Sequence, residues 1–181
     1  MRVVAGRWKG RTLRAPRGMA VRPTTDRVRE AVFSVLGERV VGSRVLDLFA
    51  GTGAMAIEAL SRGAATAVLV ESFPPAVEAV KANLAAVGAP QAACLSMDYR
   101  KALRRLAAGG EKFSLVFLDP PYGKGLLERA GEEIRRAGIL DPGAIVVAES
   151  AAREAAPAPG GWIRVSEKRY GDTRVSFFEV P

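Results

Sequence analysis

From Arg44 onward, short apolar runs alternate with longer helical segments, and this alternation limits the fold more than any other feature of the chain. The runs Val45–Phe49, Ala67–Glu71, Ala92–Ser96, Leu115–Asp119 and Ala144–Glu149 are short and mainly apolar, each with a single polar residue, rather than alternating. That is the pattern of parallel strands covered on both faces. Helical segments over 53–62, 74–87, 99–108 and 125–137 lie between them. Strand–helix–strand crossovers take one hand, so the repeat specifies a doubly wound α/β sheet. The tail changes character. Trp162–Glu167 and Thr173–Val180 are strand-like runs on either side of Arg169-Tyr170-Gly171-Asp172, a turn signal, and predict an antiparallel hairpin closing one edge. Seven strands, mostly parallel, are therefore expected, with the Ala- and Pro-rich stretch 155–160 as a loop.

Residue usage narrows the chemistry. The 181 residues contain no histidine and one cysteine, Cys94. A Cys-His nucleophile pair and a zinc site are excluded, and no metal is expected. Cys94 lies in an apolar stretch and reads as a small buried hydrophobe. No apolar run approaches the ~20 residues that span a bilayer. The basic N-terminus is not followed by an apolar signal core, so a cytoplasmic protein is expected. Catalysis would have to use carboxylates, hydroxyls, amines, backbone groups or a bound cofactor.

Val45-Leu46-Asp47-Leu48-Phe49-Ala50-Gly51-Thr52-Gly53 is a strand entering a glycine turn and then a helix. In an open α/β sheet this is where nucleotide-like ligands bind, because glycines let the backbone approach them. The turn has two readings. Gly51-Thr52-Gly53-Ala54-Met55-Ala56 satisfies a dinucleotide fingerprint, and Glu71 stands 20 residues on, where a ribose-binding acid would sit. Asp47 argues the other way: a carboxylate close to the turn repels a diphosphate and favours a cofactor bearing an ammonium and a sulfonium. Glu71 could accept both ribose hydroxyls in either case. Met97-Asp98 offers an apolar face and an acceptor for an adenine ring, although Asp98 is equally placed to cap the helix over 99–108.

The fourth strand ends in Asp119-Pro120-Pro121-Tyr122. Consecutive prolines hold the backbone extended and stiff. The carbonyl of Pro120 and the carboxylate of Asp119 are two acceptors, and Tyr122 is an aromatic face. An amino group on a base is a poor nucleophile because its lone pair is delocalised. Two acceptors can hold its hydrogens while a ring fixes the plane of the base, so that transfer to nitrogen becomes largely a matter of positioning. No histidine is needed.

Charge is concentrated at one end. Residues 1–30 carry nine basic and two acidic side chains, so nearly all of the net charge of +8 lies there. This is the footprint expected for a polyanion, with nucleic acid the first candidate. Two short strands around Gly6–Gly10 predict a basic hairpin. Trp8, between Arg7 and Lys9, could stack on a base or pack the hairpin onto the body. Arg22-Pro23-Thr24-Thr25-Asp26 reads as a turn and helix cap, after which Val28, Ala31, Val32, Val35 and Leu36 follow helical spacing to Gly37.

With Asp47–Gly53, Glu71, Asp98 and Asp119–Tyr122 in this order, the chain resembles class I methyltransferases that modify amino groups. Val3–Leu13 and Arg22–Phe33 are similar to the bacterial small-subunit ribosomal RNA guanine-N2 methyltransferase family, and the likeness extends over essentially the whole chain. The resemblance implies S-adenosylmethionine as cofactor, held by Asp47, Phe49, Ala50, Gly51, Thr52, Gly53, Glu71, Met97, Asp98 and Asp119. It implies catalysis at Asp119, Pro120, Pro121 and Tyr122, with one guanine of 16S ribosomal RNA flipped into the pocket. The substrate would be a protein-bound small subunit and the enzyme a monomer. RNA contacts are expected from Arg7, Trp8, Lys9, Arg11, Arg22, Thr24, Thr25 and Arg27. Residues 1–37 would form the basic extension and 38–181 the methyltransferase domain. A DNA adenine or cytosine amino-methyltransferase, an NAD-dependent oxidoreductase and a non-catalytic RNA-binding protein are the competing functions.

Overall fold

The structure, a computed structural model, describes residues 1–16, 26–121, 125–153 and 159–181. Seven strands form a single sheet in the order β3-β2-β1-β4-β5-β7-β6. Strands β1 (Arg44–Asp47), β2 (Thr66–Glu71), β3 (Ala92–Ser96), β4 (Phe113–Leu118) and β5 (Leu140–Ala151) run parallel. Strand β7 (Thr173–Glu179) pairs antiparallel with β5, and β6 (Ile163–Tyr170) lies outside it as the edge. The mostly parallel, doubly wound sheet and its closing hairpin are as expected.

The helices α1 (Asp26–Leu36), α2 (Ala54–Ser61), α3 (Pro74–Val87), α4 (Tyr99–Ala108) and α5 (Leu126–Ala137) have local causes. Proline opens α3 at the position where its missing N–H is harmless, and Gly88 ends it in the left-handed conformation. Asp98 caps α4. The central strands bury nearly every side chain: Val45, Leu46, Leu69, Leu115, Val116 and Val146 are almost inaccessible. Two apolar clusters sandwich the sheet. One contains residues of α1, α2 and α3 together with Val3, Trp8 and Leu13; the other contains residues of α4 and α5 with Trp162.

The N-terminal hairpin is a correction. Residues 1–13 make one isolated antiparallel bridge, Arg2 to Thr12, rather than two paired strands. The physical reason is Glu58 on α2. Its carboxylate accepts the backbone N–H groups of Val4 at 2.8 Å and Ala5 at 2.9 Å, so these groups do not enter a ladder. Gly6 presses on the end of α2, where a Cβ would stand 1.9 Å from the carbonyl oxygen of Ser61. The Ser61 hydroxyl accepts from the N–H of Trp8 and donates to the carbonyl of Ala5. The segment doubles back through that single bridge, with Val3 donating to the carbonyl of Arg11 and Leu13 to that of Met1, and is held by its staple to α2 rather than by a strand ladder.

Candidate active site

Strand order reverses between β1 and β4, which opens a crevice at the carboxyl ends of the strands. Carboxylates crowd that edge. Asp47 closes β1, and its register partner Phe117 precedes Asp119 by two residues. Glu71 closes β2, and Glu149 lies one residue beyond Ala148, the partner of Leu118. Four adjacent strands thus each bring one acid to the same edge.

Asp47 is buried, and its Oδ2 has no hydrogen-bond partner among the described residues. Burial pushes its pKa up to about 7; a hydrogen bond from the backbone of Ala56 opposes the shift, and the charge of Glu71 adds to it. Asp119 reaches the surface at the end of β4. Surrounding protein, Glu149 and Asp47 all raise its pKa well above the ordinary carboxylate value. Solvent access tempers the first of these causes and leaves the two neighbouring charges as the persistent ones. Pro120 is buried behind Asp119 and Pro121 is exposed. Tyr122 lies outside the described residues, as do Arg22, Thr24 and Thr25.

The glycine turn is held from three sides. Gly51 has φ +55° and donates its N–H to Glu71 Oε2 at 2.9 Å. The other oxygen of Glu71 accepts from the N–H groups of Ser72 and Phe73. Ala50 donates to the carbonyl of Val70. Asn83 of α3 donates to the carbonyl of Thr52 at 2.9 Å, and the buried hydroxyl of Thr52 donates to Met1 Sδ at 3.5 Å. Among the described residues nothing lies within 4 Å of a Cβ built on Gly51, so one side of the turn is open to them, whereas a Cβ on Gly53 would meet Leu69 at 2.9 Å. The Phe49 ring lies 5.3 Å from that of Tyr99, joining the turn to the start of α4. Met97 is half-buried beside them, hydrogen bonded through its N–H to the carbonyl of Glu71. Asp98 Oδ1 accepts from the N–H of Arg100, the capping alternative in its expected geometry.

The basic segment is less free than its composition suggests. Trp8 is only 8% exposed, so its ring packs the segment onto the body and is not available to stack on a base. The Arg7 guanidinium covers that ring at 4.1 Å. Arg11 donates to the carbonyl of Ala86 at 2.7 Å. Lys9 and Arg27 are exposed.

Three residues that hold this region escaped the sequence analysis. Glu149 had a visible signal, an acid ending an apolar run as Asp47, Glu71 and Asp119 do. Asn83 had a weaker one, an amide on the buried side of a helix; it also exchanges hydrogen bonds with the backbone of Arg14. Glu58 had none, because only the fold brings it to Val4 and Ala5.

A family model described as Conserved hypothetical protein 95 matches residues 1–179. The chain belongs to this family. It is 36% identical to the ribosomal RNA small subunit methyltransferase D of Escherichia coli K12, over 99% of this chain and 89% of that protein. The protein of the same name from Haemophilus influenzae is 32% identical over 94% of this chain and 89% of its own length. Among solved structures, a hypothetical protein of Thermus thermophilus superposes with a TM-score of 0.86 at 31% identity, covering 99% of each chain. The family's relatives therefore match the chain from end to end, and the basic segment and the carboxylate edge both fall inside the matched region.

Proposed function

We propose that this protein transfers a methyl group from S-adenosylmethionine to the exocyclic N2 amine of one guanine in 16S ribosomal RNA, acting in the cytoplasm on a protein-bound small subunit. The observation that carries the proposal is the convergence of Asp47 and Asp119 across the point where the strand order reverses, in a chain whose relatives are named ribosomal RNA methyltransferases.

The residues present suit this cofactor. A buried carboxylate oxygen without a partner is costly unless a cation or donor meets it. An ammonium and a sulfonium would relieve the mutual repulsion of Asp47, Glu71 and Asp119; the diphosphate of a dinucleotide would add to it. The open side of Gly51 leaves room for close approach. Asp47, Phe49, Ala50, Gly51, Thr52 and Gly53 would hold the cofactor from the turn, with Glu71, Met97 and Asp98 on its adenosine side. When bound, the cofactor supplies a methyl carbon activated by positive sulfur.

Asp119 and the carbonyl of Pro120 accept the two N–H groups of the target amine and orient its lone pair. Pro121 stiffens this loop, and Tyr122 stacks on the flipped base. The raised pKa of Asp119 makes it a stronger base, suited to taking the proton that nitrogen releases as the new N–C bond forms. Arg7, Lys9, Arg11 and Arg27 contact phosphates, which position the RNA without reading its sequence, and Arg22, Thr24 and Thr25 add further RNA contacts. Residues 1–37 act as an extension of the domain over 38–181, and the enzyme works as a monomer.

The test is methyl transfer from labelled cofactor to small subunits lacking the modification, to naked ribosomal RNA and to duplex DNA, followed by nucleoside analysis. N2-methylguanine from the ribosomal substrate is the expected product. N6-methyladenine or N4-methylcytosine from DNA would overturn the substrate and keep the chemistry.

A further inference from the structure

Cations on most of the helices and strand ends are matched by acids. Lys81 pairs with Glu78 on α3, Arg135 with Glu132 and Arg136 with Glu133 on α5, and Arg62 with Glu58 after α2. Arg39 pairs with Glu179 and Arg44 with Glu111. Helix α4 breaks this pattern. Its sequence Tyr99-Arg100-Lys101-Ala102-Leu103-Arg104-Arg105-Leu106-Ala107-Ala108 holds four cations and no acid. Tyr99, Ala102, Leu103 and Leu106 are buried in the second apolar cluster, and all four cations are exposed. Arg100 turns onto Tyr99, donating to its hydroxyl at 3.2 Å. Among the described residues, no carboxylate forms an ion pair with Lys101, Arg104 or Arg105.

This distribution works against the helix. Arg100 and Arg104, and likewise Lys101 and Arg105, are like charges four residues apart, which repel. Arg100 and Lys101 also stand in the first turn, at the positive end of the helix dipole. Arg100 has Asp98 and Glu133 near it, but among the described residues Lys101, Arg104 and Arg105 form no ion pair, and their repulsion points to an external anion. The apolar side of α4 is spent on the core, so the helix has no residues left to enter a bilayer. Its start lies at the carboxyl edge of the sheet, where Tyr99 meets Phe49 of the glycine turn. The N-terminal basic segment lies with the other apolar cluster, on the opposite face.

We propose that the exposed face of α4, through Lys101, Arg104 and Arg105, is a second contact for RNA phosphates, on the side of the sheet opposite the N-terminal segment. It rests on the RNA-methylating function proposed above. An RNA strand delivering a base to Asp119 then meets cations on both sides of the crevice. The contact is sequence-independent and depends on salt, since each neutralised phosphate releases counterions.

The test uses the full chain carrying K101Q, R104Q and R105Q together, beside a charge-conserving variant, K101R with R104K and R105K. Binding to small-subunit ribosomal RNA is measured across a salt series, with cofactor affinity and Tm as controls. In the triple Gln variant, RNA affinity is expected to fall about 10- to 100-fold at low salt, and the log–log salt slope to shrink by about 2. KM for RNA rises more than kcat falls, cofactor affinity stays at the wild-type value, and Tm does not fall, since the repulsion within α4 is relieved. The charge-conserving variant keeps the wild-type slope. An unchanged slope and affinity in the Gln variant, with wild-type protein methylating the RNA, overturns the α4 contact alone. Wild-type protein that methylates DNA and no RNA overturns the parent function. Loss of binding to an acidic peptide with RNA binding intact overturns the choice of RNA as the occupant.

Discussion

The carboxyl edge of the sheet and the junction between α2 and the N-terminal segment each bury a carboxylate, and they treat it in opposite ways. Glu58 is fully enclosed, yet it accepts from Val4, Ala5 and Arg62 and lies 3.8 Å from the buried guanidinium of Arg29. Asp47, eleven residues earlier, is almost as enclosed and faces like charges with one oxygen unmet. The first arrangement compensates its charge and fixes structure. The second leaves charge uncompensated until something positive arrives. Burial alone does not distinguish a structural acid from a functional one; the company it keeps does.

Removing each acid exposes the contrast. Glu58→Ala removes one of the two carboxylates beside Arg29, which keeps Asp26 at 2.8 Å, and frees two backbone donors, so unfolding in denaturant is expected to show a loss of about 2–4 kcal/mol. Asp119→Ala is expected to lower methyl transfer by about 100- to 1,000-fold while the cofactor still binds, as rapid single-turnover assays would show. Turnover within a few-fold of wild type would remove Asp119 from its acceptor role.

Asp47→Asn is expected to do the reverse of Glu58→Ala. A folded-state pKa raised to about 7 means that the wild-type fold prefers protonated Asp47. Its contribution is complete below about pH 4, the unfolded value, and is lost as pH rises through 7. The Asn variant escapes this loss, so its Tm should match wild type near pH 4 and exceed it at pH 8. Calorimetry across that range decides the point. Cofactor affinity should fall about tenfold in the same variant, and its rise with pH up to about 7 should flatten. Glu71→Ala has the smallest effect: about a several-fold weakening of cofactor binding by titration calorimetry, since the lost carboxylate also anchors Gly51, Ser72 and Phe73.

Much of the fold was legible because its elements are locally determined. The run Ala92–Ser96 and the helical segments 74–87 and 99–108 coincide with β3, α3 and α4, where apolar runs and terminal Pro, Gly and Asp act together. Strand β5 was read short. Its first residues, Leu140-Asp141-Pro142-Gly143, look like a turn, yet Leu140 pairs with Phe113 across a register irregularity. Contacts far apart in sequence were not legible. Trp8 among arginines could stack or pack, and only the folded body, which buries its ring in the first apolar cluster, decides for packing. Of the site, Asp47, Glu71 and Asp119 stood out as acids ending apolar runs, whereas their mutual repulsion depends on strand order, which no local pattern carries.

The stapling of the N-terminal segment has a consequence in time. Val4, Ala5 and Trp8 are joined to groups 53 or 54 residues further along the chain. During synthesis these residues emerge well before their partners on α2 exist, and they must wait, solvated, for the first strand–helix unit to form behind them. Contacts of such long reach form late, after the chain has closed a large loop. The staple is therefore expected to close only once α2 has formed, outside the step that sets the folding rate. Loosening it, as a side chain at Gly6 would, should speed unfolding and leave the folding rate nearly untouched.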